Sequence, residues 1–232
     1  MTDKIEITNY IQKHILSVLA VNKYARFRDM RPKNVDSNLY SYHLKLVIKS
    51  GLVEKTVNGY RLTSRGLFYA DRASGESFDI YSQPKIIIMC IIKNKAGEIL
   101  LSQRLKQPFI TRWTLPNGKI KLDDGTIELA ARRVLRDSAI IDPKNLSHRG
   151  DIYVHTRDTS GAIVSAILAH IFAGRCDGTL PIDRVDLAWT DKAWRSQHQM
   201  ASEMVDDVIK LADKSKTFFT ELNYKIDFGG AN

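Results

Sequence analysis

The chain has 232 residues, 44% of them hydrophobic, which is enough for two domains and a sizeable core. No segment approaches the roughly 20 apolar residues that span a bilayer, so the pattern argues against a membrane protein. The formal charge of +9 is uneven: residues 1–73 hold thirteen Lys and Arg against six Asp and Glu, the rest 22 against 20, and the first part is expected to meet an anionic macromolecule.

The opening residues, Met1-Thr-Asp-Lys-Ile-Glu, lack the basic-then-apolar order of a signal peptide. Cys90 and Cys176 have no metal-site spacing, and Cys90 sits in the apolar run Ile86–Ile92, as a buried thiol does. Both features lead to an expectation of a reducing, cytoplasmic setting.

In chain order, Ile5 to Val21 carries Ile7, Ile11, Ile15, Val18 and Leu19 at helical spacing. A short second helix is predicted over Phe27 to Arg31, stopped by Pro32. Asp36 or Ser37 caps a third helix that runs to Ser50, with Gly51 as its stop. Leu52–Val57 and Tyr60–Leu62 flank Asn58-Gly59, a strong hairpin signal. Thr63 or Ser64 then caps a fourth helix through about Arg72. This is the element order of a winged helix-turn-helix.

The third helix divides into faces. Tyr40, Leu44, Val47 and Ile48 form the apolar one, and His43 is expected to be packed. Asn38, Ser41, Tyr42, Lys45 and Lys49 face outward with no acid among them, a composition that suits a DNA major groove. Lys33 and Arg61 are candidates for further phosphate contacts. A helix-turn-helix that serves only dimerisation or protein docking is the competing reading. The stretch Ser41-Tyr-His-Leu-Lys-Leu-Val-Ile-Lys-Ser-Gly-Leu-Val, followed by Leu62-Thr-Ser-Arg-Gly66, resembles small winged-helix repressors of the arsenic-responsive type. That resemblance covers about 65 residues and implies a DNA-reading domain over residues 1–73.

Residues 74–84 read as a linker, with Phe78, Ile80 and Tyr81 able to pack on a neighbouring domain. From Lys85 the pattern turns to strands: Lys85–Ile92, Ile99–Gln103, Asp151–Thr156, Ile163–Phe172 and Leu187–Trp189. A long helix is predicted from about Gln199 to Glu221, and Phe218-Phe219 after Lys216 would extend it into a dimer contact.

Within this half, Gly118-Lys-Ile-Lys-Leu-Asp-Asp-Gly-Thr-Ile-Glu-Leu-Ala-Ala-Arg-Arg-Val-Leu-Arg-Asp-Ser-Ala-Ile140 has the spacing of a known motif. It resembles the Nudix signature G-x5-E-x7-R-E-U-x-E-E-x-G-U, with U apolar, whose helix carries glutamates that bind divalent metal and activate water. Gly118, Asp124 and Arg132 fall on its glycine, first glutamate and arginine. The later glutamates become Arg133, Arg136 and Asp137, and Ala139 replaces the second glycine. The resemblance therefore implies a Nudix α/β/α sandwich, and the whole chain is expected to be α+β in two domains, 1–73 and 85–232.

The substitutions change the chemistry that the frame implies. Mg2+ is a hard cation that needs oxygen ligands. At about 4 Å and an effective dielectric near 20, each like-charge contact costs on the order of 4 kcal/mol. Arginine instead grips phosphate through a bidentate fork. No catalytic residue and no bound metal are therefore expected, although Asp123 and Asp124, placed away from Arg133 and Arg136, leave room for residual Mg2+ binding. The competing reading is that Ile127, Ala130, Ala131, Val134 and Leu135 form a buried stripe with the arginines merely solvated. Arg132 is expected to bond loop carbonyls.

Arg104, Trp113, Arg133, Arg136 and Asp137 are the candidate ligand-binding residues. Trp113 or Phe109 would stack on a base, with a core role for Trp113 and a solvated Arg104 as the alternatives. His155 and His170 sit in strands and are expected to be satisfied core or edge histidines, with contact to a ligand as the alternative. The combined expectation is a homodimeric transcriptional regulator that binds double-stranded DNA and senses a small phosphorylated metabolite such as ADP-ribose or a related nucleotide. Nudix-related regulators usually place the Nudix part first, and this chain reverses the order. A divergent Nudix pyrophosphohydrolase acting on a nucleoside diphosphate-linked substrate is the alternative.

Overall fold

The computed structural model describes residues 7–73, 78–80, 82–139, 141–143, 145–214 and 217–227. The expected helix start at Ile5, linker residue Tyr81, the motif's final apolar position Ile140, and Lys216 lie outside them. The chain divides into two compact units, Met1–Ser82 and Gln83–Asn232. Among the described residues no helix is long and apolar enough to cross a membrane.

In the first unit α1 (Tyr10–Val21) is capped by Asn9, whose side chain accepts from the Ile11 amide at 2.9 Å. Helix α2 (Ser37–Lys49) starts at Asp36, which accepts from the Asn38 and Leu39 amides, and Gly51 beyond its end takes φ +72°. The turn at Asn58-Gly59 joins β1 (Val53–Thr56) to β2 (Gly59–Leu62), and α3 (Ser64–Arg72) follows from its Thr63 cap. Ile11, Ile15, Leu16, Tyr40, Leu44, Val47, Leu52 and Phe78 close one core.

The helix predicted over Phe27–Arg31 does not form. Two successive turns occupy the segment, with Asp29 N–H donating to Arg26 O at 3.0 Å and Arg31 N–H to Arg28 O at 3.4 Å. A five-residue stretch cannot nucleate a helix cheaply, and Pro32 biases Arg31 away from helical geometry. Met30 is fully buried, and Phe27 packs edge-on against Tyr40 at 4.7 Å. Just before it, Ala25 bridges Tyr60 and adds a third strand position to the hairpin.

The motif at the α2 exit and the return at α3 are one device. Thr63 donates its N–H to Leu52 O at 3.0 Å and its hydroxyl to Gly51 O at 2.6 Å, and its Oγ1 accepts from the Gly66 amide at 3.1 Å. A Cβ on Gly66 would stand 2.0 Å from Leu52 O. The glycine is there because α3 begins in contact with that carbonyl.

Among the described residues the second unit is built on a mixed sheet of eight strands. Its strands are β3 (Lys85–Lys93), β4 (Ile99–Gln103), β5 (Trp113–Thr114), β6 (Asn117–Lys119), β7 (Ser147–Arg157), β8 (Ile163–Arg175), β9 (Leu187–Thr190) and β10 (Phe218–Lys225). The order is β10-β7-β8-β3-β4-β5, with β6 paired to β3 and β9 to β4. β3 runs parallel to β8, and β10 parallel to β7. Alternation along β3 sends Ile87, Met89 and Ile91 into a core shared with α6 (Met204–Lys214), and Ile88, Cys90 and Ile92 into a second core against α4 (Ile127–Ala139). Helices on both faces make the α/β/α sandwich. Burial raises the Cys90 thiol pKa and keeps it an inert core group.

Two expectations change here. The terminal helix ends at Lys214, and Phe218–Lys225 is a strand, so the long helix to Glu221 and its dimer extension do not exist. Exposure alternates residue by residue along β10, and Phe219 is 66% exposed on its outer side. The short helix α5 (Lys192–Gln197), capped by Asp191, and the small strands β5 and β6 were not anticipated.

Candidate anion-binding site

Helix α4 starts at Thr126, whose hydroxyl accepts from the Leu129 amide at 3.1 Å, and packs Ala130, Ala131, Val134 and Leu135 on the sheet. Ile127, expected in that stripe, is 43% exposed at its first turn. Gly118 lies under the helix, where a Cβ would approach Val134 Cγ2 to 2.8 Å. Arg132 turns to the helix exit, donating to Pro143 O at 3.1 Å and pairing with Asp142 and Glu128.

Arg133 is where the structure departs from the expectation. Its Nε and Nη2 reach Asp124 Oδ1 and Oδ2 at 2.5 and 2.7 Å, its Nη1 reaches Asp137 at 3.3 Å, and Nη2 also donates to Lys119 O at 2.9 Å. Asp124 is thus not remote from Arg133, as the linear sequence suggested. The loop folds back through the Lys121 amide, which donates to Asp124 Oδ2 at 2.7 Å. The Asp124 side chain is only 6% exposed, and the Arg133 hydrogen bonds, working against burial, hold its pKa down to about 2. The same contact raises the Arg133 pKa further above its ordinary value. A guanidinium now occupies the place between two carboxylates where a cation would sit. Arg136 and Asp137 are exposed on the outer side of α4.

A cavity of this unit lies on the other face of the sheet, over Ile87, Met89, Val154, Ile167 and Met204. Arg133, Arg136 and Asp137 do not line it, because α4 covers the opposite side. Arg104 does, together with Phe109, Asn117, Lys85 and Lys119, and no Asp or Glu is among the described lining residues. Arg104 Nη1 donates to Asn117 Oδ1 at 3.2 Å, while its Nε is buried with no hydrogen-bond partner among the described residues. Lys85 is exposed by surface area, yet protein atoms crowd its ammonium, and with Arg104 and Lys119 adding like charge its pKa is lowered. Three cations converge on a wall that has no carboxylate among the described residues, which is the electrostatics of an anion site.

Trp113 sits apart from this cavity, packed edge-on against Trp194 at 5.1 Å at the border of the core. His155 contacts the Tyr153 hydroxyl at 3.0 Å and His170 contacts Asp151 at 2.6 Å, so each imidazole has a polar neighbour on the sheet. The sequence reading missed Lys85 and Lys119. The signal for Lys85 was the strand alternation that puts it on the side of Ile87 and Met89, whereas Lys119 follows from the pairing of β6 with β3 opposite Ile87.

In the first unit Asn38, Tyr42, Lys45 and Lys49 are exposed along one side of α2, Ser41 is half-buried beside them, and Lys33 is exposed before the helix. Arg61 is exposed on β2 and paired with Glu54 across the hairpin at 2.6 Å. His43 is buried and 3.4 Å from Gln12 Nε2.

The fold of the second unit and its glycine-to-helix frame define a Nudix domain. The family model described as the NUDIX domain matches residues 83–213, more than half of the chain, and the chain belongs to that family. No curated protein matches the sequence. Among solved structures, the Nudix domain of Shewanella oneidensis NrtR complexed with ADP ribose has a TM-score of 0.49 at 17% identity, over 66% of this chain and 98% of that one. NrtR of that organism complexed with a 27mer DNA gives 0.46 at 21%, over 55% of this chain and 59% of that one. MutT protein from Bacillus halodurans gives 0.45 at 21%, over 58% and 89%.

Proposed function

We propose that the chain is a DNA-binding transcriptional regulator whose Nudix domain senses a nucleotide-like phosphorylated metabolite rather than hydrolysing it. The observation that carries the sensing half is the cationic cavity: among the described residues, Lys85, Arg104 and Lys119 line a wall free of carboxylates, and the buried Arg104 Nε has no hydrogen-bond partner. A phosphate or pyrophosphate supplies what that wall lacks, and Phe109 lines the same cavity. Against hydrolysis stands the α4 frame, where Arg133 takes both Asp124 oxygens that a metal would need. The DNA-reading half rests on the acid-free outer side of α2, with Lys33 and Arg61 as further phosphate contacts. In this reading a homodimer sets two such helices about one helical turn of DNA apart. Ligand binding shifts the DNA affinity by linkage. The winged helix, the dimer and the cytoplasmic setting belong to this proposal.

Calorimetry with ADP-ribose on the full chain, beside Arg104→Ala, tests the sensor. Hydrogen bonds to a charged group contribute about 1.5–3 kcal/mol, so the variant is expected to bind about 10- to 100-fold more weakly. Turnover of ADP-ribose or nucleoside triphosphates with Mg2+ or Mn2+ above about 0.1 per second, against a usual range of roughly 1 to 1000, would instead establish a hydrolase.

A further inference from the structure

We propose that His148, Asp151 and His170 form a binding site for a borderline divalent transition-metal ion such as Zn2+, on the sheet surface of β7 and β8. Among the described residues this is the one group of three or more His, Cys, Asp or Glu whose ligand atoms all lie within 4.8 Å of one another. His148 Nε2 and His170 Nδ1 stand 2.9 and 2.6 Å from the same Asp151 oxygen. Two imidazoles and one carboxylate are a donor set that suits Zn2+, Cu2+ or Ni2+ and is poor for Mg2+, which wants oxygen alone.

The backbone assembles this set in a way that strand geometry alone would not. Side chains three apart on a regular strand face opposite sides. A register shift between His148 and Gly150 inserts one extra residue, and this bulge turns His148 to the side of Asp151. Asp151 is the cross-strand partner of His170, so the third donor follows from register. Gly150 fits the bulge at φ +153°, and a Cβ there would meet Phe218 O of β10 at 2.2 Å, so the kink is held by the neighbouring strand. The Phe172 ring packs against His148 at 5.4 Å and backs the cluster with apolar surface. The His148, Asp151 and His170 side chains are 40%, 34% and 19% exposed, which leaves an open side for water and room for the imidazoles to close on an ion. In a tetrahedron with Zn–N near about 2.1 Å, the two nitrogens settle roughly 3.4 Å apart.

Full chain, freed of any polyhistidine tag and stripped with chelator, is titrated with Zn2+ by calorimetry, with Mg2+ as the control. One Zn2+ per chain is expected. His148→Ala and His170→Ala each weaken it by at least the roughly 10- to 100-fold that loss of a ligand's supporting hydrogen bond costs. Cu2+-loaded parent chain read by electron paramagnetic resonance needs no variant, and nitrogen superhyperfine coupling from two imidazoles is expected. No saturable Zn2+ binding, binding that survives both substitutions, or a Cu2+ spectrum without nitrogen coupling overturns the proposal.

Discussion

A Gly66→Ala chain is expected to lose the native packing of its first unit while the Nudix unit stays folded. The added methyl carbon would meet Leu52 O at 2.0 Å and Leu62 Cδ2 at 3.1 Å. The first of these is backbone and cannot rotate away. Moving it breaks the two hydrogen bonds that Leu52 O accepts from Thr63, which fix where α3 starts. Overpacking usually costs about 1–3 kcal/mol, and a clash with a fixed carbonyl belongs at or above the top of that range. A small unit with stability of about 5–10 kcal/mol would then open often enough to be seen. Hydrogen exchange read by mass spectrometry distinguishes the units within one chain: peptides from α1, α2 and α3 lose protection, those from β3 and β8 keep it. Unchanged protection in α3 would mean that the α3 start can shift at little cost, and the account of the motif would fail.

That residue also shows why part of this molecule could be read from sequence. The exit Gly-Leu-Val and the return Leu-Thr-x-x-Gly are local patterns, each spanning a few residues, and a single hairpin joins them. Caps at Asp36 and Thr63, the strand Ile99–Gln103 and the turn at Asn58-Gly59 were legible for the same reason. The C-terminal segment was misread because Met204, Val208 and Leu211 set a helical period that Phe218 happens to continue. The alternation Thr217-Phe-Phe-Thr-Glu-Leu-Asn-Tyr-Lys225, rich in aromatic residues and threonine, was the contrary signal, and pairing with β7 decided it. The cavity was harder still. Helical spacing placed three charges on one side of α4 but says nothing about which face of a sheet is hollow. The metal donor set was hidden because a bulge breaks the alternation on which strand reading depends.

Arg133→Glu is expected to reverse the chemistry of the α4 frame, with three measurable signs. The first is stability. Removing one partner of a buried pair costs about 3–5 kcal/mol. Arg133 keeps 20% of its side chain exposed, so solvent screening trims this to about 2 kcal/mol, or roughly 4–8 °C in Tm at pH 7. The second is the direction of pH dependence. In the parent chain the Asp124 carboxyl titrates at about 2 when folded and near 3.8 when unfolded. Its stabilisation is therefore complete above the unfolded value and disappears as pH falls through the folded one. In the variant the introduced glutamate stands among Asp124 and Asp137, folded carboxyl pKa values rise, and stability grows as pH falls from 7 toward 4. The third sign is metal. Three clustered carboxylates recreate a hard-oxygen site, so Mn2+ at a hundredfold excess over Kd stabilises the variant by about 2.7 kcal/mol, read as a rise in its Tm, and leaves the parent's Tm unchanged. His148→Ala in both backgrounds removes any contribution of the imidazole cluster to that comparison. A variant that melts like the parent at pH 7 and ignores Mn2+ would show that the Arg133 fork neither holds this loop nor occupies a cation's place.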